Sequence, residues 1–378
     1  MRQWIVGMGL AALIGMSGAA AAADPVKVGV IFPLSGGAGR QGQEVVNAIT
    51  VMAGMINADG GVLGRPIELV VRDDESTPAV GVSKANELAG LGVAVVIEGW
   101  NSPVTLAMQP ILARAGVLDI TAVSKADGIL TSASNKLAVR LNSSNAQDSD
   151  VIAKYLAGKS KTGRLAFVTE NDAYGNGAQA GIEAALKREG ATGEIATVQK
   201  FPFAQTDFRV EITSLQSAKP ERVVVINANE GAGLPAFIQQ YAQAKLTASL
   251  VCSVGTLSPS VVETAGAAAD GLVSADIYFP HAEPFASNKV NQRFVTEMTK
   301  QFKQEPEKFG ALGAAALQVW AAAANGAKSL ERDKVATAIR GHDILDTIFG
   351  TARFAADGQL QHSYEQFTVK GGKLAIGD

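Results

Sequence analysis

A single cysteine, Cys252, occurs in 378 residues, so no intramolecular disulfide can form and the fold must be held by its core. Cys252 lies in the apolar run SLVCSV, where a thiol reads as a small buried hydrophobe and not as a nucleophile. Histidine is almost as scarce. His281, His342 and His362 all fall in the last third, none at metal-ligand spacing and none beside a plausible nucleophile. Neither a metal centre, nor a catalytic set, nor a cofactor is therefore expected, and His342 in RGHD and His362 in LQHS read as surface turns. Basic runs with interleaved aromatics are missing as well, and the net charge of −3 comes from interspersed signs, which removes nucleic acid from the expected partners.

Only one segment is apolar enough to concern a membrane, and it lies at the start. Met1-Arg2-Gln3 precedes an apolar core over residues 4–16, and Ala21-Ala22-Ala23 precedes Asp24. A charged end, a short apolar core and an A-x-A site predict a secretory signal peptide over residues 1–23, with the mature chain starting near Asp24. A single membrane anchor is the other reading, but the apolar core is short for a span of ~20 residues. No cysteine follows the core, so a lipid anchor is not expected.

What is abundant is alternation. VKVGVIF, EVVNAITVMAGMINA, IELVVRD, AVGVSKANELAG, VAVVIEG, PVTLAMQPILARAG and VLDITAV alternate strand-like with helix-periodic runs. That order predicts a parallel sheet with helices on both faces, and continuous Val/Ile runs fit strands buried on both sides. After RLNSSNAQDSD the pattern restarts with RLAFVTE, and a second unit of the same kind follows. The fold class is α/β, with two Rossmann-like lobes and a cleft between them. Asp357-Gly358 and Gly371-Gly372 near the end read as hairpin turns.

Gly37, Gly39 and Gly42 spell G-x-G-x-x-G after the first strand-like run. The dinucleotide fingerprint puts its first glycine directly at the strand end, whereas Pro33-Leu34-Ser35-Gly36 intervenes here. The glycines arrive too late. Asp73 or Asp74, after IELVV, would be the ribose-binding acid of that reading; with Glu75 they form either a cation site or, more simply, a solvated loop.

Four strand-to-helix corners collect polar residues. Trp100-Asn101-Ser102 leads into Pro103, an N-cap serine with proline at the first helical position. Free amides at that helix start, with the positive end of its dipole, suit an anion, and Trp100 offers an apolar face beside it. Val123-Ser124 lies in the second corner, Glu170 to Gly175 including Tyr174 forms the third, and Asn229-Glu230 belongs to the fourth. Ligands in open α/β sheets sit outside the carboxyl ends of strands, so these corners define a candidate cleft site.

FPLSG with its late glycine, INADGGVLGRPIELVVRDDE, SPVTLAMQP and ENDAYGNG together resemble the leucine/isoleucine/valine-binding protein family, the type I periplasmic binding proteins that serve ABC transporters. The resemblance covers essentially the whole mature chain. It implies a periplasmic, monomeric binding protein with no enzymatic activity, a small carboxylate ligand and an ABC permease in the inner membrane as partner. It also implies three crossovers, expected near residues 142–147, 274–276 and 350–354. The N-terminal lobe would then be 24–145 plus 276–350 and the C-terminal lobe 146–275 plus 351–378. By the same resemblance Ser102 matches the carboxylate-binding serine, Ser124 lies near the second anchor, and Tyr174 matches the tyrosine that closes over the ligand. The glycine-rich loop would shape the mouth of the cleft, with Arg40 and Gln41 where the family carries an aromatic. The acid that meets the ligand's ammonium falls at Val254. Either Glu230 or Asp276 replaces it, or the ligand has no ammonium and is an aromatic or other apolar carboxylate.

Overall fold

The structure is a computed structural model and describes residues 24–131 and 136–377. The expected leader, residues 1–23, lies outside the described residues. The first half builds β1 (Val26–Phe32), α1 (Gly39–Ala58), β2 (Ile67–Asp73), α2 (Pro78–Gly90), β3 (Val95–Glu98), α3 (Ser102–Arg114), β4 (Leu118–Thr121), α4 (Gly128–Thr131) and β5 (Ala138–Arg140). Its sheet is parallel in the order β2-β1-β3-β4-β5. The run Val26 to Phe32 is apolar at nearly every position because both of its faces are covered. Val28, Val30 and Phe32 pack towards Val45, Ile49 and Met52 of α1, while Ile31 packs towards Leu88, Met108 and Leu112 of α2 and α3.

The chain then crosses into the second lobe. There follow α5 (Asn145–Lys159), β6 (Leu165–Glu170), α6 (Ala173–Arg188), β7 (Ile195–Phe201), α7 (Arg209–Ala218), β8 (Arg222–Ile226), α8 (Gly233–Gln243), β9 (Ser249–Cys252), α9 (Pro259–Ala265) and β10 (Val273–Asp276). Ser144 caps α5 through the Gln147 amide, and the Gln147 side chain returns a bond to the Ser144 amide, which fixes where the helix starts after the crossing. Past Asp276 the chain re-enters the first lobe, where Ile277 and Tyr278 join its core. It adds α10 (Lys289–Phe302), α11 (Lys308–Ala327), α12 (Arg332–Gly341) and the antiparallel pair β11 (Ile344–Thr347) and β12 (Gly350–Ala352). Alanines and glycines let α11 pack closely on α1: a side chain at Gly313 would lie 2.5 Å from Val45.

The last crossing corrects an expectation. Residues 351–360 do not belong to the C-terminal lobe. Phe354 and Leu360 are buried in the first lobe's core, Gln359 bridges to Arg140, and the Arg140 Nε donates to Gln359 Oε1 at 2.7 Å. The chain changes lobe only beyond Leu360, and β13 (Glu365–Lys370) and β14 (Lys373–Ile376) then close the second sheet, whose order is β14-β13-β10-β9-β8-β6-β7. Gly371 and Gly372, at φ 56° and 74°, form the two-residue turn between them.

Cys252 is buried and burial pushes its thiol up to about 12. His362, expected in a surface turn, is half-buried, with Nε2 on the Leu141 carbonyl and its ring against Phe349.

Candidate functional site

The carboxyl ends of the parallel strands of the two sheets face each other, and the loops that leave β3, β4, β6, β8 and β9 meet across one cavity of about 30 Å³. Six lining residues come from the first lobe: Trp100, Asn101, Ser102, Val123, Lys125 and Phe309. Six come from the second: Glu170, Asp172, Tyr174, Ala228, Glu230 and Thr256. That is small beside the roughly 300–1,000 Å³ of a small-molecule pocket, so the two walls stand nearly in contact.

The first-lobe wall is set by the turn after β3. Gly99 adopts φ 101°, a conformation that side chains resist, and turns the chain so that Asn101 precedes the helix. The N-cap is Asn101 and not Ser102: the Asn101 carbonyl accepts from Val104 and Thr105, and Ser102 is the first helical residue with Pro103 behind it. The Ser102 hydroxyl accepts from the Lys125 and Ala126 amides at 3.3 and 3.2 Å, which joins the two corners. Its own proton has no acceptor among the described residues. Trp100 meets Phe309 edge-on with ring centres 4.8 Å apart, forming the apolar side of the wall.

The amides of the second corner are not available to an anion. Val123 and Ser124 both donate to the Gly99 carbonyl, and the Ser124 hydroxyl turns inward to Thr105 at 2.8 Å. Thr105 in turn bonds Glu98, which also accepts from Thr121 at 2.7 Å. Beneath the site, Glu98, Asp119 and Asp74 are fully buried. Burial, and for Glu98 the neighbouring Asp119, holds Glu98 well above the usual carboxylate range. Burial likewise pushes Asp119 up to about 7 and Asp74 up to about 6.

On the second lobe Asp172 caps α6 by accepting from Gly175 at 2.8 Å, and Glu170 accepts from the Ala228 amide at 2.5 Å. Burial, then repulsion from Asp172, pushes Glu170 up to about 8. Tyr174 donates to Ser253 at 3.0 Å, which fixes its ring against the cavity. Glu230 is almost completely buried and its Oε1 has no partner among the described residues. Burial holds its carboxyl well above the ordinary range, against the attraction of Lys308. Two buried atoms in the facing first-lobe wall, Trp100 Nε1 and Asn101 Oδ1, are also without partners among the described residues.

Two lysines of the first lobe reach across. Lys125 Nζ lies 2.5 Å from Asp148 of α5 and donates to the Val254 carbonyl at 2.8 Å. Lys308 donates to the Gly255 carbonyl at 2.6 Å, lies 3.8 Å from Asp276, and sits 4.0 Å above the Phe309 ring. Burial lowers it to about 8, opposed by Asp276. Glu307 adds a third bridge by accepting from the Ser260 amide at 2.8 Å. At the mouth, a side chain on Gly37 would lie 2.7 Å from Phe203, and one on Gly231 2.7 Å from Gln41. The glycine-rich loop therefore touches the opposite lobe, and it is clasped to β2 by Asp73, which accepts from Leu34, Ser35 and Glu75. The acidic run after β2 is thus a loop clasp with a buried Asp74, not a solvated loop.

Of the residues singled out from sequence, Trp100, Asn101, Ser102, Val123, Tyr174 and Glu230 line the cavity. Ser124 faces into its own lobe. Asn229 braces a loop through the Phe203 carbonyl at 3.0 Å. Val254 buries its side chain in the second core and contributes only its carbonyl. Asp276 accepts from the Ile277 amide at 2.7 Å and faces Lys308, and Arg40 is exposed on α1. Glu170 and Asp172 stood in the quoted third corner without being singled out, and Lys125 follows Val123-Ser124 in the second. Phe309 and Lys308, from an element some two hundred residues along the chain, carried no local signal.

The family model for periplasmic binding proteins matches residues 25–373. A Leu/Ile/Val-binding protein homolog 2 of Brucella abortus is 29% identical over 371 residues, 97% of this chain and 96% of its own. A solute-binding protein of an ABC transporter from R. palustris, solved with benzoate, superposes with a TM-score of 0.83 at 24% identity, over 93% of this chain and 95% of that one. The branched-chain amino acid transporter substrate-binding protein LivJ of Streptococcus pneumoniae, solved with isoleucine, gives 0.82 at 21% identity, over 94% and 99%.

Proposed function

The chain belongs to the periplasmic binding protein family, whose members are solute-binding proteins and not enzymes, and from that premise we propose that it captures a small carboxylate-bearing solute of the hydrophobic or branched-chain amino-acid type between its lobes. The observation that carries this reading is the cavity to which each lobe contributes six residues. A solute there touches both halves at once, and it favours closure only because the open form offers half of those contacts. The Ser102 hydroxyl, whose proton has no acceptor among the described residues, supplies a donor for a carboxylate, and Lys125, its ammonium group held by Asp148 and the Val254 carbonyl, lines the same cavity. Trp100, Phe309 and Tyr174 supply the apolar walls.

Export through a signal peptide cleaved near Asp24 and delivery by a monomer to an ABC permease in the inner membrane complete the proposal. The likeness to Leu/Ile/Val-binding homologues supports the amino-acid reading. A second reading, an aromatic carboxylate, draws on the Trp100–Phe309 pair and on the benzoate complex of the R. palustris protein. A sensing module that reports to a receptor would use the same cleft with another partner.

A thermal-shift screen over aliphatic amino acids, aromatic acids and short aliphatic acids tests the proposal. A true ligand at ~100 times its dissociation constant stabilises the fold by ~2.7 kcal/mol. No stabilisation by any of the three classes would overturn it.

A further inference from the structure

Among the described residues, Glu230 is the one acid of the cavity wall without a structural task. Glu170 is held by the Ala228 amide and Asp172 caps α6 through Gly175. Asp148 and Asp276 face lysines. Glu230 leaves β8 on the loop that precedes α8, lines the cavity, and buries an Oε1 with no partner among the described residues. The two cations nearest to it are already engaged, Lys125 by Asp148 and the Val254 carbonyl, Lys308 by the Gly255 carbonyl and Asp276. Neither forms an ion pair with Glu230 among the described residues. The cavity wall thus holds three carboxyl groups and one lysine, and Glu230 is the one of the three with a buried oxygen that meets no donor among the described residues.

A buried carboxylate left unpaired is costly, and a solute that brings a cation removes that cost on binding. Trp100 and Phe309 line the same cavity, and aromatic faces attract an ammonium group as well. Resting on the proposed function, we propose that Glu230 is the specificity-determining counter-ion for an ammonium group of the solute, so that the cleft takes an amino-bearing acid in preference to the same acid without its amine. The residue comes from a different corner than Val254, the position that resemblance assigned to this task. Val254 has its side chain in the core, and the lysines beside it turn towards backbone carbonyls of the loop that carries it.

The experiment is calorimetric titration with matched pairs, leucine against 4-methylpentanoate and phenylalanine against 3-phenylpropanoate, on the wild-type chain and on Glu230→Gln. The wild type is expected to bind the amino-bearing member of one pair about a hundredfold tighter, the scale of a buried charge left without its partner. Glu230→Gln is expected to collapse that ratio mainly by weakening the amino-bearing member. The wild-type ratio requires no variant, so it stands even if the substitution lowers folding yield. Equal or tighter binding of the deaminated members overturns the role of Glu230 and leaves solute capture intact. A ratio in Glu230→Gln within about threefold of wild type, no more than a surface ion pair contributes, does the same. No binding by either member of either pair, in a chain that also fails the thermal-shift screen, overturns both.

Discussion

Asp148→Asn probes closure without touching the cavity wall. Asp148 sits on α5 in the second lobe, and it accepts from Lys125 at 2.5 Å and from Tyr364 at 3.1 Å. Both members of the ion pair are nearly inaccessible, with side chains 6% and 9% exposed, so solvent screening is weak and removal of one partner strands the other. Breaking a pair of this kind costs about 3–5 kcal/mol, and asparagine keeps an acceptor, so the lower end, about 3 kcal/mol, applies. The cost falls on the closed form, because separating the lobes returns Lys125 to water. A closed state weakened by about 3 kcal/mol lowers the affinity for a solute that requires closure by roughly a hundredfold. Calorimetry reads the affinity, and small-angle scattering reads the lobe separation with and without solute. Affinity within about threefold of wild type, the contribution of a surface pair, would refute the reasoning. A double cycle with Lys125→Met separates the bridge from direct contact of Lys125 with the solute, since Asp148→Asn in a Lys125→Met background is then expected to add little.

Two further predictions concern the first lobe. Ser102→Ala is expected to weaken solute binding by about 1–3 kcal/mol through loss of a charge-assisted bond, measured by calorimetry, with little change in melting temperature beyond that of the lost interloop acceptor. Protein stability is expected to fall between pH 5 and pH 8. Asp74, Asp119 and Glu98 have folded pKa values raised by burial, so the native state holds protons that the unfolded chain releases. Their contribution is complete below about pH 4 and is lost as pH rises through about 6 and 7, with Glu98 following above. His362, lowered to about 4 chiefly by burial, acts oppositely and costs stability only as pH drops below its unfolded value of 6.5. Asp119→Asn should flatten the slope of unfolding free energy against pH, read by denaturant titration between pH 5 and 7, by up to about 1.4 kcal/mol per pH unit; an unchanged slope would remove Asp119 from the account.

The alternation of apolar strands and periodic helices was enough to place both sheets, because a strand covered on two faces has to be apolar at successive positions, as Val28 to Phe32 is. The final crossing was not legible. Residues 351–360, TARFAADGQL, show neither strand alternation nor helix period, and their membership depends on Gln359 meeting Arg140, a contact between positions more than two hundred residues apart. The glycine-rich stretch was legible in what it is not. Its positive role, close approach to Phe203 across the cleft mouth, depends on a residue in the other lobe. Ser102 was found from its helix-start setting, yet its place slipped by one residue because Asn101 caps with its carbonyl alone. Lys125 and Asp148 carried no signal of their own in the sequence. Only the closed arrangement reveals that they bury each other, as it reveals Phe309 behind Trp100.

Crystallography of the protein grown with the solute that gives the largest thermal shift tests the central claim most directly. Density for that solute between Ser102 and Glu230, bounded by Trp100, Phe309 and Tyr174, is the predicted result. Density on an outer face of either lobe, with the space between Ser102 and Glu230 free of solute, would contradict it.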